Sequence, residues 1–160
     1  MKPSTYCVPL LLVLSVLAAC APTEPAAGGS AGAPMPGPAL AGSSWQLAHF
    51  ESSDDAIGRL VPPRLERYTV EFAADGAASF QLDCNRLGSR WTQTAASARG
   101  GSISFAPGAM TRAFCGEEAM DARIARDLGY VRSFTIVGDQ LSLALEADAG
   151  IYVWTRRAGS

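Results

Sequence analysis

The sequence predicts a mainly β (α+β) fold in which seven to eight strands form a small antiparallel sheet, curled or closed into a barrel, with one helix packed on it. Three patterns lead to this prediction: short segments that alternate apolar and polar residues, tight turns between them, and a single segment with helical periodicity. Strands joined by tight turns pair antiparallel. If the last strand also pairs with the first, both sheet edges are protected.

The alternating segments begin near residue 44 and continue almost to the end of the chain. Asp75-Gly76, a composition that tolerates positive φ, and Gly138-Asp139 are expected to be turns. Residues 51–63 and 106–116 are expected to be irregular. The predicted strands, in chain order, are 44–48, 67–72, 78–84, 90–94, 102–105, 134–137, 141–145 and 151–154.

One of these strands ends in the densest group of potentially reactive side chains. Alternation places Leu82 and Cys84 on one face and Asp83 on the other. A polar corner, Asn85 to Gly88, is expected to follow before the next strand begins.

The single predicted helix runs from about Glu117 to Leu128. Met120, Ile124 and Leu128 recur at helical spacing and form one apolar face. Acidic residues in the first turn favour the positive end of the helix dipole, and Gly129 is suited to end the helix.

Residues 1–20 have the features of a lipoprotein signal peptide. Lys2 provides a positive start, Val8–Leu17 is apolar but too short to span a bilayer as a mature helix, and small residues precede Cys20. This ending resembles a lipobox, so we expect Cys20 to carry diacylglycerol and an N-acyl chain such as palmitate and to anchor the protein in a membrane. Ala21, rather than Asp, follows Cys20, which favours the outer membrane of a Gram-negative bacterium on its periplasmic side.

Residues 21–42 are nearly all Ala, Pro, Gly and Ser, with Glu24 as their only charge, and are predicted to form a disordered tether. One domain is then expected at residues 43–160. The chain has a formal net charge of −2 and its arginines are interspersed with carboxylates, so no nucleic-acid-binding patch is expected. Nothing in the sequence indicates the oligomeric state.

The four cysteines have different expected fates. Cys7 leaves with the signal peptide and Cys20 is the lipidation site, so Cys84 and Cys115 remain. Two cysteines in one small periplasmic domain usually pair, and this bridge would stabilise the domain by about 3.5 kcal/mol. The alternatives are two buried free thiols, or a reactive thiol activated by His49. One histidine and two cysteines at these spacings match no zinc pattern, and neither a metal nor a cofactor is expected.

Such a disulfide would bring two polar segments together, since the Cα atoms across a disulfide lie about 5.5 Å apart. Asn85 and Thr111 are then suited to bind backbone groups at an irregular corner. Arg86 and Arg112 are suited to bind an anion or a partner's carboxylate there. A corner with a purely structural role is the alternative to this binding corner.

Two other groups of residues were candidates for function. Asp83 and Asp127 would be a carboxylate pair for glycoside chemistry, although solvated charges with salt bridges are the simpler interpretation. The tryptophans are expected in the barrel core or at its rim, and an exposed Trp91 beside Arg90 would be a partner contact. No catalytic residue is assigned.

Five segments resemble the META domain of HslJ-like bacterial lipoproteins, and the resemblance extends over about residues 43–157. Its core signature is a Gly-Cys-Asn-type corner followed by Thr-Arg-x-x-Cys. Asp83 stands where the family often has Gly, a departure at the turn into the corner. The segments are Ser44–Leu47, Tyr68–Phe72, Asp83–Arg86, Ala109–Cys115 and Met120–Phe134.

The resemblance implies a small β-rich fold, an envelope location, and heat-shock or antibiotic-stress phenotypes like those of some members. The family has no established catalytic activity and no agreed cofactor. The leading hypothesis is therefore a non-enzymatic envelope lipoprotein that binds an envelope protein or supports stress tolerance. A carrier of a small apolar ligand inside the barrel, which needs a cavity of about several hundred Å3, is the second. A thiol-based redox enzyme, which needs a free nucleophilic thiol, is the third.

Overall fold

The computed structural model of the chain describes residues 40–97 and 99–158. The predicted signal peptide, the lipidation site Cys20 and residues 21–39 of the predicted tether lie outside these ranges. The strands are β1 (Ser43–Ser52), β2 (Arg59–Leu60), β3 (Tyr68–Phe72), β4 (Ala77–Leu82), β5 (Asn85–Ser97), β6 (Gly100–Phe105), β7 (Ala109–Met110), β8 (Val131–Val137), β9 (Gln140–Leu145) and β10 (Gly150–Arg156), and the helix is α1 (Asp121–Asp127).

Eight of the described strands form a closed antiparallel barrel, in the order β1, β3, β4, β5, β6, β8, β9 and β10. The barrel closes because β10 pairs with β1, with Trp45 opposite Arg156 and Phe50 opposite Tyr152. Short strand β2 is added to β1, and short strand β7 is added to β5. The prediction of a mainly antiparallel β barrel with one helix is confirmed.

Large side chains fill the interior of the barrel. Phe72 contacts Trp91 with ring centroids 5.4 Å apart, and Phe80 contacts Trp154 at 6.4 Å. The buried tryptophans confirm the core prediction and exclude Trp91 as an exposed contact. In the described residues, the space that an internal apolar ligand would need is therefore occupied by protein. The largest fully buried side chains include Trp45, Trp154, Tyr68, Phe50, Phe72 and Phe134.

The hairpin between β4 and β5 is tighter than expected. Leu82 pairs with Asn85, so only Asp83 and Cys84 form the turn, and the expected corner at Asn85–Gly88 is part of β5. Asp83 has φ 55°, and this left-handed residue breaks the alternation of the strand. As a result Asp83 is buried and Cys84 is exposed, the reverse of their predicted faces.

Helix α1 begins at Asp121, four residues later than predicted, and ends at Asp127. Gly116 has φ 109° and accepts a hydrogen bond from Ala119 N at 3.3 Å, so a turn occupies the predicted first helical turn. The predicted apolar face is correct, because Met120 and Ile124 pack into the core. A 3₁₀ turn at Leu128–Tyr130 connects the helix to β8.

The folded domain includes the last residues assigned to the tether. Leu40 is fully buried in the core, and Gly42 N donates to Phe72 O at 2.7 Å. The core therefore includes Leu40, which precedes the expected start at residue 43, because one leucine in an Ala/Pro/Gly/Ser-rich segment gives no periodic signal.

Strand register places different residues at the two open ends of the barrel. Ser43 lies opposite Phe72 at one end, which we call the amino-terminal rim, because the preceding chain joins there. Tyr68 lies opposite Leu82 at the other end, where the β4–β5 turn and α1 are found, and we call this end the disulfide rim. At about 3.3 Å per residue, the length of β4 separates the two rims by about 17 Å.

Candidate functional site

The disulfide expected from the cysteine count is present at the disulfide rim. Cys84 and Cys115 have Cα atoms 5.6 Å apart and are 31 residues apart in sequence. The bridge joins the β4–β5 turn to the segment before α1. Because both sulfurs take part in the bond, neither is available as a nucleophilic thiolate in this form of the protein.

Asn85 is the centre of a buried hydrogen-bond network beside the disulfide. Its Oδ1 accepts from Thr111 Oγ1 at 2.9 Å and from Ala113 N at 2.8 Å. Its Nδ2 donates to Ala113 O at 2.9 Å and to Asp121 Oδ2 at 2.7 Å. The side chain is fully buried, and its bonding capacity is used within the fold. These contacts are those of a structural residue that ties β5, the Ala113 backbone and α1 together.

Thr111 extends the pairing of β5 with β7. Its Oγ1 accepts from Arg86 N at 3.0 Å, and its own N donates to Arg86 O at 3.0 Å. Gly108 allows β7 to approach β5 closely, since a Cβ there would lie 2.6 Å from Gly88 O. Residues 108–113 are thereby held against the barrel wall.

Arg86 and Arg112 project into solvent at the same rim. Arg86 Nε donates to Gln81 Oε1 at 3.3 Å, and both arginines are exposed. The structure thus divides the four predicted residues into two pairs. Asn85 and Thr111 build the corner, whereas the two guanidinium groups face outward, and anion or partner binding by them remains a prediction.

Asp83 lies in a buried ion-pair cluster that the sequence did not indicate. Its Oδ2 accepts from Arg64 Nη2 at 2.6 Å and from Tyr68 Oη at 3.4 Å, and its Oδ1 accepts from Arg67 Nη1 at 3.3 Å. Arg64 Nη2 also donates to Cys115 O at 3.2 Å, so the cluster is connected to the disulfide segment. Asp83 therefore forms salt bridges, as the simpler interpretation of the sequence expected, but it is buried rather than solvated.

The surroundings of Asp83 shift its titration and that of Tyr68. Burial acts to raise the pKa of the Asp83 carboxyl, but hydrogen bonds from Arg64 and Arg67 outweigh it and hold that pKa below its ordinary value. Burial is the main cause of a raised pKa at the Tyr68 hydroxyl, which accepts a hydrogen bond from Met120 N at 3.1 Å. A carboxylate with a lowered pKa and two guanidinium partners is poorly suited to act as a general acid.

Asp127, the other candidate carboxylate, is also buried but lies in a separate cluster. Its Oδ2 accepts from Tyr152 Oη at 2.7 Å, and its Oδ1 accepts from Arg126 Nε at 3.1 Å. Burial and the neighbouring Asp127 raise the pKa of Tyr152. Each carboxylate has its own internal partners, so the structure gives no support to Asp83 and Asp127 as a catalytic pair.

His49 likewise has partners other than the cysteines. Its Nε2 lies 2.9 Å from Glu51 Oε1, and its Nδ1 lies 2.7 Å from Arg59 Nη2. It is therefore engaged on the β1–β2 surface rather than acting as a base for a thiol. Across the described ranges, no three His, Cys, Asp or Glu side chains are grouped to hold a metal ion.

An open groove of about 1150 Å3 lies between residues 106–119 and α1 at the disulfide rim. Its apolar lining includes Leu87, Phe105 and Met110, and Arg112 and Glu117 contribute charges. The groove lies outside the filled barrel interior and was not predicted, because its two sides come from segments whose packing is set by the disulfide.

Comparison with known families agrees with the signature at this rim. The sequence matches the META domain model over residues 38–158. The chain belongs to the META domain family. The resemblance seen in the sequence, with its HslJ-like family context, is confirmed, and both halves of the signature meet at the disulfide.

Two solved structures share the fold of this META domain. The NMR structure of a protein from Burkholderia xenovorans matches with a TM-score of 0.62 at 18% identity, covering 85% of this chain and 99% of that chain. The crystal structure of a DUF4847 family protein from Bacteroides vulgatus matches with a TM-score of 0.55 at 12% identity, covering 76% and 96% respectively. At these identities the matches show a common fold alone. No curated protein matches this chain.

The META domain also contains functional candidates that sequence reasoning missed. Phe114 is 85% exposed at the edge of the groove, and Arg64 and Arg67 enclose Asp83. Phe114 occupies a variable position of the Thr-Arg-x-x-Cys signature. An aromatic residue directly before the signature cysteine was the sequence feature that could have identified it as a candidate. In residues 40–97 and 99–158, no helix has the length and hydropathy to cross a membrane.

Proposed function

We propose that this META domain is a non-enzymatic, lipid-anchored envelope module that presents the disulfide rim to a protein partner. The observation that carries the proposal is the position of that rim, at the end of the barrel opposite Leu40 and Ser43. The chain that leads to Cys20 joins the amino-terminal rim.

An anchor at Cys20 would leave 19 residues before Leu40. A flexible coil of this length has a root-mean-square span of about 25 Å. The amino-terminal rim would then be the part of the domain attached nearest the bilayer. Exposed groups of the disulfide rim would remain accessible from the periplasm.

Side-chain chemistry at the disulfide rim favours binding over catalysis. Asn85, Thr111 and Asp83 are committed to internal hydrogen bonds and ion pairs. Arg86 and Arg112 are exposed cations at this rim, and arginine stays protonated in proteins. A guanidinium held on a rigid rim is suited to bind a carboxylate or phosphate, not to transfer a proton.

We place the protein on the periplasmic face of the outer membrane, from Ala21 after Cys20, and we assign it a role in envelope stress tolerance from its family. The mass of the N-terminal peptide of the purified protein tests the anchor directly. Acyl chains on Cys20 support the anchor, and an unmodified peptide that retains Cys20 contradicts it.

Partner binding is tested by purifying the lipidated protein from its own envelope together with whatever it retains. We expect a stoichiometric partner with the wild type and its loss with the Arg86→Ala/Arg112→Ala variant. Arg99→Ala/Arg157→Ala is the matched control, because it removes two exposed arginines near the opposite rim. Equal recovery with both double variants, or recovery of no stoichiometric partner, contradicts the proposal.

A further inference from the structure

The segment Arg112–Glu117 presents an exposed aromatic ring between two opposite charges. Phe114 is 85% exposed, more than any other large hydrophobic residue of the described chain. Arg112 precedes it by two residues and Glu117 follows it by three. Both charged side chains are exposed, and within residues 40–97 and 99–158 neither forms a hydrogen bond or an ion pair.

This segment is held firmly despite its exposure. Both backbone groups of Ala113 are bonded to Asn85, at 2.8 Å through N and 2.9 Å through O. Cys115 is fixed by the disulfide, and Thr111 is paired with Arg86. The ring of Phe114 is therefore presented by an ordered backbone on both sides, which lowers the entropy cost of binding through it.

The groove beside Phe114 has a mixed lining of apolar side chains and charged residues such as Asp121 and Arg126. It has a volume of about 1150 Å3 and is lined by Leu87, Phe105 and Met110 among others. Phe114 is among the residues at its edge. An exposed aromatic ring beside an open groove is typical of an interaction surface.

We propose that this surface docks a second copy of the same chain in a two-fold symmetric dimer. A two-fold axis near Phe114 would place each ring in or against the groove of the other copy. The same axis would bring Arg112 of each copy to Glu117 of the other, so two equivalent Arg112–Glu117 ion pairs would form across the interface. A patch with a cation on one side of an aromatic ring and two carboxylates, Glu117 and the neighbouring exposed Glu118, on the other side is complementary to itself in this arrangement.

At Phe114, charge balance favours a second copy over a segment of one charge sign. An acidic segment at this position would satisfy Arg112 but would leave Glu117 against like charge, and a basic segment would do the reverse. The second copy presents one charge of each sign, in the order that pairs Arg112 with Glu117. This inference does not rest on the lipid anchor or on the partner proposed above, and the dimer and that partner would compete for Arg112.

The test is sedimentation equilibrium of the purified full chain, in a density-matched detergent if the chain carries lipid. We expect a reversible monomer–dimer equilibrium. Arg112→Glu alone and Glu117→Arg alone each weaken the dimer about tenfold or more, because each places like charges together twice. An equimolar mixture of the two variants restores wild-type affinity as a heterodimer, since every facing pair is again of opposite sign.

Two further variants separate the surface from general hydrophobic association. Phe114→Ser is expected to weaken the dimer, whereas Val137→Ser, at a 70% exposed position of the β8–β9 hairpin, leaves it unchanged. A chain that stays monomeric at every concentration overturns the proposal. So does a dimer that both charge reversals leave intact, or one that the mixture fails to restore. Restoration in the mixture also shows that both variants are folded.

Discussion

The two rims of the barrel are built from different interactions. At the amino-terminal rim, the chain is held by backbone bonds, apolar burial and uncharged side-chain bonds: Gly42 N donates to Phe72 O, Leu40 is inserted into the core, and Ser43 Oγ donates to Leu40 O. At the disulfide rim, the chain is held by a covalent bridge and by side-chain bonds that centre on Asn85 and Asp83. The irregular backbone of residues 111–116 lacks a continuous strand partner, so side chains supply its contacts.

The difference shows which conditions each rim responds to. Apolar burial and backbone pairing change little with redox state or moderate acid. A disulfide and a buried carboxylate with two arginine partners respond to reductant and to pH respectively. The stability of the disulfide rim, where the exposed candidate binding groups lie, is therefore expected to respond more strongly to reductant and acid than that of the amino-terminal rim.

The largest expected effect comes from removing the bridge. Cys84→Ser/Cys115→Ser should lower the free energy of unfolding by about 3.5 kcal/mol, because the unfolded chain loses a cross-link across 31 residues. Denaturant titration measures this change. Reductant should lower the stability of the wild type by a similar amount and leave the double variant unaffected. If reductant destabilises the wild type and the double variant equally, its effect does not come from the Cys84–Cys115 bond, and the prediction is contradicted.

A smaller effect is expected from the Asp83 cluster under acid. Because the pKa of folded Asp83 lies below its ordinary value, its ion pairs contribute fully above the unfolded-state pKa of about 3.9. That contribution is lost as the pH falls from there through the folded-state pKa. Asp83→Asn, which tolerates the positive φ, should therefore be less stable than the wild type at neutral pH and lose less stability on acidification.

The matched control for this prediction is Asp139→Asn. The Asp139 side chain is 82% exposed and lies near the opposite rim. Its Oδ1 is 3.5 Å from Arg156 Nε. Its loss should leave the acid dependence of unfolding close to that of the wild type, as followed by circular dichroism between about pH 2 and 7. If Asp83→Asn and Asp139→Asn reduce the pH dependence of unfolding equally, the predicted difference between the rims is contradicted.

Local sequence patterns were sufficient to predict most of the barrel. Tyr68, Val70 and Phe72 alternate because one face of β3 is buried, and the same rule located most of the remaining barrel strands. The rule failed at Asp83 and Cys84, where a residue with positive φ reverses the faces. It also failed at the start of α1, where the turn at residue 116 replaces a helical turn that the local charges favoured.

The candidate site was less accessible to sequence reasoning because its contacts are long-range. The cysteine count paired Cys84 with Cys115, since only one connectivity existed. Nothing local indicated that Asn85 would bond to Asp121, or that Asp83 would be enclosed by arginines 19 and 16 residues earlier. The tertiary fold determines which residues form these contacts. The groove beside Phe114 depends on them because Asn85 connects the Ala113 backbone to Asp121 of α1.

The most direct test of the difference between the rims is amide hydrogen exchange in the oxidised Asn85→Ala variant. The Ala113 N–H loses its Asn85 acceptor, so its protection should fall by about tenfold to a hundredfold. The Gly42 N–H, bonded to Phe72 O at 2.7 Å, should keep its protection. Unchanged protection at Ala113, or an equal loss at Gly42, would contradict a disulfide rim held by its own side-chain network.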